Sequence, residues 1–125
     1  MLANAAARAT LPASDMKRAK KFYQETLGLK VKEENPGGVR FECGDGTEMA
    51  VYPSGFAGTN QATAAEFEVQ DIEAEMSELK DKGVTFEEYD LPDLKTENGV
   101  ATFDKDKGAW FKDTEGNILA LFQKG

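Results

Sequence analysis

Val39-Arg40-Phe41-Glu42-Cys43-Gly44-Asp45-Gly46-Thr47-Glu48-Met49-Ala50-Val51-Tyr52 aligns without a gap onto Ala109-Trp110-Phe111-Lys112-Asp113-Thr114-Glu115-Gly116-Asn117-Ile118-Leu119-Ala120-Leu121-Phe122. Each copy reads as strand, glycine-containing turn, strand. Working outward, Leu11-Pro12-Ala13-Ser14-Asp15 ahead of one helical stretch matches Phe67-Glu68-Val69-Gln70-Asp71 ahead of another. A one-residue slip then brings Leu29-Lys30-Val31 onto Val84-Thr85-Phe86. A long period met only twice marks a duplicated half-domain rather than a solenoid.

A chain of 125 residues is large enough for one real core and too small for two independent ones. The two copies therefore share a fold or pair across a dimer. Hydrophobic residues at 40% with charged residues at 30% exclude a disordered chain. The net charge of -8 argues against nucleic acid as a partner, because that binding needs a basic face. One cysteine and no histidine exclude an internal disulfide, a zinc finger and a Cys/His nucleophile, which leaves Cys43 as a small core residue. The first eight residues have neither a charged start nor a long apolar run, and no stretch approaches a membrane span. The expectation is a cytoplasmic protein with no membrane partner.

Met16, Ala19, Tyr23 and Leu27 fall at helical spacing after Asp15, with Gly28 as the stop. Ile72, Met76 and Leu79 repeat the pattern after Asp71, with Gly83 as the stop. Strand signals lie at 9–13, 30–34, 39–43, 48–53, 64–69, 84–88, 109–112 and 117–123, with a weaker one at 100–103. The order is βαβββ twice, an α+β fold. The first module spans about 5–53, a Gly-rich polar linker 54–61, and the second module about 62–125. The segment 89–98 has no counterpart in the first copy and is either a lid or surface decoration.

Two βαβββ units of this size, with Asp15 opening a helix that carries Phe22-Tyr23 and ends in Leu27-Gly28-Leu29, resemble the vicinal oxygen chelate superfamily. That group includes glyoxalase I, extradiol dioxygenases and the bleomycin-resistance proteins. The run Trp110-Phe111-Lys112-Asp113-Thr114-Glu115-Gly116-Asn117 is similar to the family's C-terminal strand-turn-strand. The resemblance covers nearly the whole chain and implies curled mixed sheets around an intermodule cleft. In metal-dependent members four ligands, usually His and Glu, come from the first and fourth strands of each module. Those positions carry over to Arg8, Ala50, Ala64 and Ala120. Alanine has no lone pair to give and arginine brings a fixed positive charge, so neither a metal nor another cofactor is expected.

Residues that share a strand face with those four positions are expected to line the cleft. They include Arg8, Arg40, Tyr52, Glu66, Trp110 and Phe122, the candidate ligand-binding residues. The alternate set, with Leu11, Phe41, Val51, Phe111, Leu119 and Leu121 among it, is uniformly apolar and belongs under the helices. Aromatic walls stack on planar ligands, and an arginine holds a carboxylate or phosphate through paired hydrogen bonds. The bland alternative pairs Arg8 and Arg40 with Glu48, Glu66 or Glu68 in a solvated groove.

The leading functional expectation is a metal-free protein that binds an aromatic or conjugated small molecule, as in drug sequestration. The acidic net charge tolerates a cationic ligand of the bleomycin kind. One alternative is an enzyme, either a glyoxalase-type lyase or isomerase or a metal-independent activity with Glu66 as general base. Another is a structural or interaction domain with a vestigial cleft. The resemblance also implies a homodimer.

Overall fold

The computed structural model describes residues 1–125, which divide into two compact units, Met1–Ala57 and Gly58–Gly125. In the first, β1 (Ala9–Ala13) leads into α1 (Met16–Lys21), which runs on as a π-helical turn over Phe22–Thr26. Strands β2 (Lys30–Asn35), β3 (Gly38–Glu42) and β4 (Glu48–Pro53) follow. The second unit contains β5 (Thr63–Glu68), α2 (Ile72–Asp81), the short strands β6 (Asp90–Leu91) and β7 (Leu94–Lys95), then β8 (Ala101–Phe103), β9 (Asp106–Lys112) and β10 (Ile118–Gln123). Each unit has one four-stranded mixed sheet, in the orders β1-β4-β3-β2 and β5-β10-β9-β8. The β1/β4 and β5/β10 pairs are parallel and the remaining neighbours antiparallel. The fold is α+β, and neither sheet closes into a barrel.

The repeat is visible at the helix starts. Asp15 Oδ1 accepts a hydrogen bond from Arg18 N at 3.0 Å, and Asp71 Oδ1 accepts one from Ala74 N at 3.1 Å. Each cap satisfies an amide that would otherwise lack a partner, a contribution of about 1 kcal/mol. The first helix differs from a regular α-helix after Lys21: Leu27 N reaches back five residues to Phe22 O. This widened turn lets the adjacent Phe22 and Tyr23 both point inward, with ring centroids 5.5 Å apart.

Strand alternation then sorts the faces. Leu11, Phe41 and Val51 project under α1 with Ala19 and Tyr23, all 1% exposed or less. In the second unit Ala109, Phe111, Leu119 and Leu121 are buried on one face, as are Ile72, Met76 and Leu79 of α2. Burial of each large apolar side chain contributes roughly 1.5–3 kcal/mol. The opposite face of each sheet has no helix from its own unit.

The expected strand over 84–88 does not form. Phe86 makes a single bridge to Phe111, and Glu87 N donates to Trp110 O at 2.8 Å, after which the chain leaves the sheet. Residues 89–98 form a hairpin in which Asp90 faces Lys95. Its base is held by the Thr96 hydroxyl, which accepts from Tyr89 N at 2.8 Å and donates to Glu88 Oε1 at 2.6 Å. Glu88 Oε1 also accepts from Gly99 N at 2.8 Å. The chain rejoins the sheet as β8, where Ala101 pairs with Gly108 as Asn35 pairs with Gly38 in the first unit. The Phe86–Phe111 bridge likewise matches the Val31–Phe41 pair. The second unit's edge strand is thus the counterpart of β2, interrupted by a hairpin.

The turns also match. Cys43 N donates to Thr47 O at 2.8 Å, and Asp113 N donates to Asn117 O at 2.9 Å. Asp113 is only 6% exposed, yet its Oδ1 accepts from Glu115 N and Asn117 N, each at 2.8 Å. No helix is long and apolar enough to cross a membrane.

Candidate functional site

On the helix-free face of the first unit, Arg40 of β3 stands diagonally across from Glu48 of β4, because Arg40 registers with Ala50 and Glu42 with Glu48. Arg8 precedes β1, two residues before Thr10, which registers with Ala50, so it arrives beside Glu48 as well. The third cation comes from an irregularity in β2. Val31 pairs with Phe41 and Glu33 with Arg40, leaving Lys32 as the extra residue of a bulge. Its ammonium hydrogen-bonds Glu48 Oε2.

Glu48 is therefore ringed by three cations. Its Oε1 lies 3.5 Å from Arg8 Nε and 3.4 Å from Arg40 Nε, and its side chain is 16% exposed. Arg40 also lies 3.9 Å from the outlying Glu33. The hydrogen bond from Lys32 holds the Glu48 carboxyl below its usual pKa, and the charges of Lys32, Arg40 and Arg8 act in the same direction against burial. Arg40 Nε and Glu48 Oε1 are nevertheless buried without a hydrogen-bond partner, since proximity alone does not supply the alignment. Burial, then the Glu48 charge, raises the pKa of the nearby Cys43 thiol, which keeps it protonated and a poor nucleophile.

On the corresponding face of the second unit, Trp110 occupies the place that Arg40 holds in the first. Its indole Nε1 donates to Thr63 Oγ1 at 3.1 Å. A Cβ on Gly108 would come within 3.0 Å of the indole Cη2, so glycine there lets the ring lie along β9. Tyr89 meets the indole edge to face at 5.8 Å between centroids, and Phe103 does so at 6.5 Å. Phe103 remains 45% exposed. Burial, then the charge of Glu87, raises the pKa of the Tyr89 hydroxyl.

Each candidate from the sequence has a definite place. Arg8 and Arg40 join in one ion cluster around Glu48. Tyr52 is the penultimate residue of β4, opposite Pro12, and is 40% exposed. Trp110 and Glu66 both register with Ala120 from opposite sides of β10, and Phe122 registers with Gly108 and Glu68. Glu66 is exposed. Lys32, Thr63, Tyr89 and Phe103 were not among the candidates. Strict alternation from the inward Val31 points to Lys32, whereas Tyr89 and Phe103 reach Trp110 only through the inserted hairpin and the weak strand after it.

The positions that hold a divalent ion in metal-dependent relatives do not fit one here. In the parallel registers Ala50 faces Thr10 and Ala120 faces Glu66, while Ala64 falls in a bulge between Thr63 and Ala65. Arg8 is committed to Glu48 among other cations, a setting that repels a metal ion. No group of three or more His, Cys, Asp or Glu side chains is placed to hold one.

Comparison with known proteins agrees with this architecture. Uncharacterized protein YurT of Bacillus subtilis (strain 168) is 32% identical over 126 residues, covering 88% of this chain and 91% of that protein. Among solved structures, UcmS2 superposes with a TM-score of 0.75 at 20% identity, covering 94% of this chain and 96% of its own. The antibiotic binding protein TnmS3 from Streptomyces sp. CB03234 gives a TM-score of 0.70 at 22% identity, over 100% of this chain and 99% of its own. Lactoylglutathione lyase from Agrobacterium tumefaciens gives 0.69 at 17% identity, over 96% and 93%. At these identities the structural likenesses establish the fold alone. The sequence model of one family matches residues 5–121, and with the duplicated βαβββ units it shows that the chain belongs to the Glyoxalase/Bleomycin resistance protein/Dioxygenase superfamily.

Proposed function

We infer that this chain is a metal-free small-molecule-binding protein that takes an aromatic or conjugated ligand, in the manner of drug sequestration. The observation that carries the reading is the Trp110 group. An indole fixed by Thr63 and flanked by Tyr89 and Phe103 lies on a sheet face without a helix of its own unit. Such a surface offers stacking and edge contacts to a planar molecule. Alanine at three of the family's metal-ligand positions supports the metal-free part. That TnmS3, of similar fold, is an antibiotic binding protein supports the ligand class.

Trp110 is the chain's one tryptophan, so its emission reports directly on this face. A panel of planar conjugated compounds, titrated with EDTA present, should contain members that quench Trp110 saturably. Trp110→Ala should lose their binding, measured by calorimetry, while circular dichroism and melting temperature stay near wild type. Absence of saturable binding across the panel, or undiminished binding by Trp110→Ala, contradicts the reading.

A further inference from the structure

We propose that Arg8, Lys32 and Arg40 form a subsite for an oxyanion, the carboxylate or phosphate of a ligand, with Glu48 as the internal anion that holds the three cations together. The proposal rests on the small-molecule reading above and specifies part of the ligand's chemistry. Arg8, Lys32, Arg40 and the adjoining Lys30 contribute four positive charges, and Glu48, Glu33 and Glu42 three negative ones, leaving the cluster at +1 in a chain whose total is -8. A local excess of this kind governs what binds next to it, because the Debye length at physiological salt is only about 8 Å. The net charge of the chain therefore does not set the sign of the group bound here.

Geometry points the same way. Arg40 Nε and Glu48 Oε1 lie 3.4 Å apart, yet both are buried without a hydrogen bond, so the ion pair leaves hydrogen-bonding capacity of the Arg40 guanidinium unused. Arginine pairs best with planar or tetrahedral oxyanions that accept two bonds at once. The cation side chains remain accessible, at 34% exposure for Arg8 and Arg40 and 43% for Lys32, whereas Glu48 lies beneath them at 16%. An incoming oxyanion thus meets donors first and the carboxylate last. The β2 bulge sets Lys32 next to Glu33, the residue that pairs with Arg40, and the cluster needs no residue outside the first unit.

The test is a titration of the whole 15N-labelled chain with inorganic phosphate and, separately, acetate, at constant ionic strength set by sodium chloride. The expected result is saturable shifts of the Arg40 side-chain Nε–H signal and of the amides of residues 8–10, 32, 40 and 48. Lys32→Met, a change at an exposed bulge, should weaken the anion about tenfold, the loss expected for one charge-assisted hydrogen bond. Glu48→Gln, which removes the internal competitor, should strengthen it by several-fold. Saturation by phosphate alone assigns a phosphate-bearing ligand, and saturation by both assigns a general oxyanion site. Linear shifts spread over surface lysines, or an affinity unaltered by Lys32→Met, would overturn the proposal. If Glu48→Gln does not fold, the wild-type and Lys32→Met titrations decide alone. None of these readouts involves Trp110, so an anion site without aromatic binding, or the reverse, separates the two claims.

Discussion

Glu48 and Trp110 show how single side chains set the chemistry of each face. The pKa of Glu48 lies below its ordinary value of 4.5, so its ion cluster adds stability above that pH and loses it as pH falls through the lower, folded value. Glu48→Gln removes this titration, and the fall in urea midpoint below pH 4.5 should become shallower than in wild type. An equally steep fall would mean that the cluster does not couple to folding. At Trp110 the support comes from below: Gly108→Ala places a methyl against the indole and should shift Trp110 emission and weaken planar ligands without changing the sheet register. Unchanged emission and affinity would show that the ring has another seat. Position 110 was legible from the repeat, which sets Trp110 against Arg40. Its flanking rings were not, since Tyr89 and Phe103 are brought in by chain that the first copy lacks.

The elements were read correctly wherever local pattern and tertiary pairing agree. Asp15 and Asp71 announce their helices in sequence, and both act as caps. Asp71→Ala should cost about 1 kcal/mol in urea denaturation, and a loss below a few tenths would deny the cap its role. The 84–88 run shows where pattern fails. Its β-branched and aromatic residues read as a strand, but Glu88 is drawn to Thr96 and Gly99, and that pair of bonds ends the ladder in favour of a hairpin. Periodicity carries no information on such side-chain bonds. Thr96→Val leaves Tyr89 N and Glu88 without their hydroxyl partner, so it should destabilise the hairpin by roughly 1–2 kcal/mol. Amide exchange over 89–99 should then quicken while β9 and β10 stay protected. Uniform protection would show that the hairpin does not depend on this base.

For the molecule as a whole, duplication was the strongest signal in the sequence, and the two sheets repeat its strand order and the register of the β3/β4 and β9/β10 pairs, while the edge strand that matches β2 is broken by a hairpin. The two copies have diverged in what they present. One offers cations around a half-buried carboxylate, the other aromatic rings around an indole, and neither holds a group of side chains placed to bind a metal. Local alternation cannot reveal this division of labour, because it depends on which side chains meet across strands in one copy and on an insertion in the other. A homodimer remains a proposal drawn from the family resemblance, and one spectrum addresses it together with the ligand. The decisive measurement is native mass spectrometry of the untagged protein purified without chelators. The subunits should be free of stoichiometric divalent ions, with any retained mass belonging to a dissociable organic molecule. One divalent ion per chain, removed only by chelation, would contradict it.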